Sequence, residues 1–301
     1  MKKKLKIFSC LILIFTFVCY GMVGFASPAV AENVTLDINL DKTDYMVGET
    51  VVATISITDI PDSIIGKNFG AFQLYVDFDN TVLEYKSGEI KFGLNDADIL
   101  DENSWSITPH QSQGMIVALC APNTETYTFS EITDPIDVLE LSFEVITSTY
   151  TPEALVSFGD QTDGYDAIFV DGKNSGYNEI KCDLAKQSAL ASTYEYLMKS
   201  PTASFADGEV SATVTADVMT GKTAYLFIGL YDKDTDSLVK PAKMFIINDE
   251  STEIQTATFE DVVSAENLEV KYFLWKSLLN ISPAFNALKY DFSINMDGGE
   301  A

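Results

Sequence analysis

The chain has 301 residues, 45 acids against 19 lysines, no arginine and a formal net charge of −26. Such a polymer repels phosphate backbones and anionic lipid surfaces, which excludes a nucleic-acid-binding reading. Its 47% hydrophobic and 12% aromatic content is too apolar for a disordered chain, so a packed core is expected.

The first residues, "MKKKLKIFSCLILIFTFVCYGMVGFASPAVAENV", place four lysines before an apolar run from Ile7 to Phe25 and an Ala29-Val30-Ala31 site. This layout predicts a secretory signal peptide over 1–31, cleaved between about Ala31 and Glu32, rather than an uncleaved anchor. The remaining chain carries 15 lysines against 45 acids, a charge near −30, and is predicted to be secreted, extracellular or surface-associated, without a membrane span.

From Val34 to about Leu184 short alternating runs follow one another between Gly, Asp, Asn and Pro turns: "VTLDINL", "ETVVATISITDI", "AFQLYVDF", "VLEYKSG", "MIVALCA", "DVLELSFEVI", "LVSFGD", "AIFVDG" and "NEIKCDL". In the second run Val51, Ala53, Ile55 and Ile57 share a face. This spacing predicts an antiparallel β-sandwich over 33–184. In "FGAFQLYVDFDNTVLEY" Leu74, Val76 and Phe78 fill one face while Gln73, Tyr75 and Asp77 lie on the other, and Val82 and Leu83 return to the core after the turn.

Residues 185–202, "AKQSALASTYEYLMKSPT", break the alternation and read as a linker or short helix. Alternation resumes in "EVSATVTADV", "TAYLFIGLYDKDTDSLVK", "AKMFIINDE", "IQTATFEDV" and "LEVKYFLWKSL", which predicts a smaller immunoglobulin-like β-sandwich over 203–296. The fold class is therefore all-β.

Chemistry-bearing patterns are sparse. The lone His110 lies in a polar turn, and no glycine-rich phosphate loop or nucleophile motif occurs, so the chain reads as non-catalytic. "DKDTDS", Asp232–Ser237, lacks the glycine and the distal glutamate of a helix-loop-helix calcium site and reads as a hairpin turn. Asp160, Asp163 and Asp166 in "GDQTDGYD" are candidate calcium ligands or, equally, turn residues. Cys120 and Cys182 are candidates for one disulfide or for two buried thiols. Trp105, in a polar stretch, is the candidate glycan-stacking ring, while Trp275 alternates with Phe273 and reads as core.

Gly48-Glu49-Thr50-Val51, Phe78-Asp79, Val82-Leu83-Glu84 and Gly88-Glu89-Ile90, followed by "IDVLELSFEVI" and "LVSFGDQ", resemble a cohesin domain in order and spacing across about 33–184. The resemblance implies a nine-strand jelly-roll sandwich, related in shape to carbohydrate-binding modules. It also implies a sheet face that holds the calcium-loaded dockerin module of another protein in plant-fibre-degrading assemblies. It places the partner on the strand Ala71–Asp77, with Gln73, Tyr75, Asp77 and Glu84 as candidate contacts. At the positions where the family supplies polar acceptors this chain has Ala71, which offers none, and the uncharged Gln73. The second segment resembles small sandwich modules of secreted clostridial proteins. A secreted, non-catalytic binding protein for a dockerin-like partner is the leading expectation. A carbohydrate-binding module or an adhesive surface protein is the alternative.

Overall fold

A computed structural model describes residues 33–91, 104–121, 128–129, 132–160, 167–172, 176–249, 253–279 and 282–292. The predicted signal segment 1–31 lies outside them, as do Asp163 and Asp166. No described helix is long and apolar enough to cross a membrane.

The first core is built from twelve strands: β1 (Val34–Leu40), β2 (Asp44–Met46), β3 (Thr50–Asp59), β4 (Phe69–Phe78), β5 (Leu83–Ile90), β6 (Trp105–His110), β7 (Met115–Cys120), β8 (Ile136–Val145), β9 (Glu153–Phe158), β10 (Ile168–Asp171), β11 (Glu179–Leu184) and β12 (Ser188–Tyr194). One layer runs β5-β8-β3-β1, and β11 joins its end in parallel with β1. The other runs β10-β4-β7-β6, with β9 beside the C-terminal half of β4. Most neighbours are antiparallel, as short turns between alternating strands require.

Leu74 and Val76 of β4, Ile116 of β7, Leu139 and Leu141 of β8 and Phe169 of β10 are fully buried in one core. The rings of Phe78 and Phe143 meet across the layers at 5.1 Å. The expected face of β3, from Val51 to Ile57, is buried, with a register shift against β8 between Ile55 and Ser56. After β4, Asp79 closes the turn by accepting from the Thr81 amide at 2.9 Å, and Val82 and Leu83 re-enter the core. Gly70 faces the register shift in β10, where an added Cβ would lie 2.5 Å from the Asp171 carbonyl oxygen. Only a residue without a side chain lets β10 approach there.

The second core contains β13 (Tyr196–Ala206), β14 (Glu209–Val218), β15 (Thr223–Asp232), β16 (Ser237–Leu238), β17 (Lys243–Asn248), β18 (Ile254–Phe259), β19 (Leu268–Ser277), β20 (Ser282–Pro283) and β21 (Leu288–Asp291). A three-stranded sheet, β13-β14-β18, packs on a six-stranded one in which β15 and β19 are central. Val210 to Val218 of β14 alternate inward against Leu226, Ile228, Val270, Tyr272 and Leu274.

The expectation of a linker or helix at 185–202 needs correction. Residues 188–194 are β12, paired with β9 and β2, and 196–206 are β13, so only Glu195 separates strands of the two cores. Tyr194 packs between the rings of Tyr150, 5.8 Å away, and Phe285, 6.0 Å away. Alanine- and serine-rich sequence carries weak strand propensity, and strand pairing overrides it here.

Candidate functional site

The outer face of β10-β4-β7-β6 follows from register. Alternation buries Phe72, Leu74, Val76 and Phe78 and turns Ala71, Gln73, Tyr75 and Asp77 outward, half-buried. Val170 lies opposite Ala71, Ile168 and Leu119 opposite Gln73, Val117 opposite Tyr75, and Met115 opposite Asp77. On β6 the same rungs end in Ser106, Thr108 and His110. The result is an apolar surface four strands wide, roughly 14 Å across, with a polar rim.

Within it Gln73 donates through Nε2 to the Tyr75 hydroxyl at 2.6 Å, which holds the two side chains together. Burial raises the Asp77 carboxyl above its ordinary value, and the negative charge of Asp160 adds to the effect. A carboxyl whose folded pKa is raised binds protons more readily folded than unfolded, so its ionisation costs stability as pH rises through that window. Asp77→Asn is therefore expected to raise the melting temperature at pH 7. The gain should disappear near pH 3, where both the native and unfolded Asp77 are protonated, as a pH series of thermal melts would register.

Of the four candidate contacts, Gln73, Tyr75 and Asp77 lie on this face. Glu84 is elsewhere: it lies on β5, at the far edge of the other layer, where Lys86 bridges it and Glu144 at 2.7 and 2.8 Å. That layer's outer surface is charged, with Lys91 also pairing Glu89 and Glu140. The residues missed were Val117, Leu119, Ile168 and Val170. For Val117 and Leu119 the signal was present in "MIVALC", where both parities are apolar, the pattern of a strand covered on both sides.

Trp105 is 36% exposed, but its register partner is the inward-pointing Cys120. It thus sits on the core side of an edge strand, away from the outward rungs. The candidate disulfide is not formed: Cys120 and Cys182 are free and buried. Three strand spacings separate them, from Cys120 to Phe72, Phe169 and Ile180, about 14 Å where a bridge tolerates no more than about 7 Å between Cα atoms. Burial pushes both thiols up to about 12. Adding a reductant is expected to leave the melting temperature unchanged; a fall of several degrees would reveal a bridge.

Among the described residues no cluster of His, Cys, Asp or Glu is arranged to hold a metal ion. Of the candidate calcium ligands only Asp160 is described, and it is exposed. The "DKDTDS" carboxylates are engaged by their own turn and by the neighbouring Asn267 and Lys271. Asp232 accepts from the Thr235 amide at 2.9 Å, Asp234 from Asn267 Nδ2 at 2.8 Å, and Asp236 pairs with Lys271.

Residues 36–175 match the family model of the cohesin domain. The match spans 140 of the 301 residues and marks that segment as similar to a cohesin domain. Similar solved structures include the type II cohesin dyad from the adaptor ScaA scaffoldin of Acetivibrio cellulolyticus. It is 15% identical over 82% of this chain and 89% of that one, with a TM-score of 0.40. Another is the type I cohesin–dockerin complex Coh-OlpA-Doc918 of Clostridium thermocellum, 13% identical over 53% and 99%, with a TM-score of 0.38. A third is the solution structure of CaCohA2 from Clostridium acetobutylicum, 16% identical over 54% and 92%, with a TM-score of 0.39. No curated protein matches the chain. Within this cohesin-like segment the apolar outer face belongs to the layer that carries β4, and the charged one to the layer that carries β5.

Proposed function

We propose that the cohesin domain docks a dockerin-type protein module on the outer face of β10-β4-β7-β6, and that the chain acts outside the cell as a non-catalytic binding protein. The observation that carries this reading is the contrast between its two outer faces. The β5-β8 surface displays glutamates and lysines in mutual ion pairs. The β4-β7 surface displays Ala71, Tyr75, Val117, Leu119, Ile168 and Val170 in a chain that is one-fifth charged. A contiguous apolar area with a polar rim is the usual anatomy of a protein interface.

Gln73 and Tyr75 supply the polar anchors near its centre, and Asp77 supplies a carboxylate at one end. With no side-chain acceptor at Ala71 and no charge at Gln73, recognition leans on apolar contact and shape more than on charged hydrogen bonds. The leader at 1–31 supplies the export signal this role requires.

The test is capture of a panel of purified dockerin modules by the immobilised full chain. Binding by at least one module, unchanged by Glu140→Lys on the opposite sheet, is the expected result. Failure to retain any dockerin would remove the proposal.

A further inference from the structure

We propose that the second core carries a binding face of its own, on the outer surface of its six-stranded sheet, for a neutral polysaccharide. This reading stands apart from the dockerin face and involves none of its residues. Register puts Tyr225 beside Ile246 and Trp275, and Phe227 beside Met244 and Phe273. All six side chains share the outward parity, because Ala224, Leu226, Ile228, Tyr272 and Leu274 fill the buried one. Trp275, expected in the core, is therefore on the outside, and its ring lies 4.4 Å from that of Phe227. Met244 and Ile246 are 50% and 56% exposed on the edge strand β17.

Charge selects the ligand. These two rungs contain no ionisable side chain other than the Tyr225 phenol, although one residue in five of the chain is charged. The nearest outward charges on β19, Lys271 and Glu269, pair with each other at 3.0 Å beyond the rungs, and Lys271 also pairs with Asp236. A net charge of −26 repels an anionic polymer, and a cationic one finds no carboxylate within the strip. An uncharged, hydroxyl-rich chain suits both conditions. Its C–H faces lie on the rings, and its hydroxyls reach the Tyr225 and Thr223 oxygens at the border. Rings repeated on neighbouring strands, about 5 Å apart across the sheet and about 7 Å apart along it, suit a ligand that also repeats.

The experiment is native gel electrophoresis of the full chain through gels containing hydroxyethyl cellulose, xylan or polygalacturonate, with sedimentation velocity on the same samples. Retardation by at least one neutral polymer and none by polygalacturonate is expected. Phe227→Ala and Trp275→Ala should each weaken that retardation about tenfold while the chain still melts cooperatively, and Trp275→Phe keeps most of it. Trp105→Ala and Val117→Asp should leave it intact, which separates this face from the dockerin face. Absence of retardation in both neutral gels overturns the proposal, as does retardation that both alanine variants preserve. A dimer that those two variants dissolve would instead assign the face to a second copy of the chain.

Discussion

Val117→Asp is expected to weaken dockerin capture by more than about a hundredfold while leaving the fold intact. Val117 sits on the middle rung of the face, with Tyr75 on one side and Thr108 on the other. In the free protein its side chain is half-exposed, so an aspartate there keeps its water and the sheet tolerates it. Docking removes that water. A carboxylate buried against an apolar partner without a counter-charge costs several kcal/mol, and each 1.4 kcal/mol is a factor of ten in Kd. Surface plasmon resonance against a dockerin that the parent binds, with thermal melts in parallel, measures both halves. A Kd within about threefold of the parent's would move the interface away from β7.

Phe169→Ala should cost the first core about 3–5 kcal/mol. Phe169 is fully buried on the short strand β10, and its ring meets those of Phe69, Phe72 and Phe129 at 6.0, 5.7 and 6.3 Å. Truncation leaves a cavity among three large rings that close packing prevents from collapsing. The same strand presents Ile168 and Val170 outward, so loosening β10 should weaken partner binding as well. Denaturant titration of the variant reads the first effect. A loss below about 1 kcal/mol would mean that the neighbouring rings close over the site.

Asp77 on the outer face of β4 works in the opposite direction from most surface acids. Its carboxyl is raised by burial and by Asp160, so in the free protein its ionisation weakens the native state rather than supporting it. A partner that brings a cation to this end of the face would relieve that cost, which makes lysine or arginine on the partner favourable at this position.

Local alternation already contained much of this architecture. The parity of Leu74, Val76 and Phe78 against Gln73, Tyr75 and Asp77 follows from a period of two, and the core of β4 formed on that parity. The turn at Asp79 and the return of Val82 and Leu83 were equally local. What a period of two leaves open is which strand lies next to which. Glu84 follows β4 closely in sequence, yet its strand closes the opposite layer, so no local pattern could reveal that it misses the face. Cys120 and Cys182 both lie in alternating runs, and only the order β7-β4-β10-β11 sets them three strands apart. Trp275 and Phe273 share a parity that reads as core in isolation. Their neighbours Tyr272 and Leu274 took the interior because β14 packs against that side. In and out along one strand is written in consecutive residues, whereas pairing, layer and the side that receives a second sheet arise from contacts between distant segments.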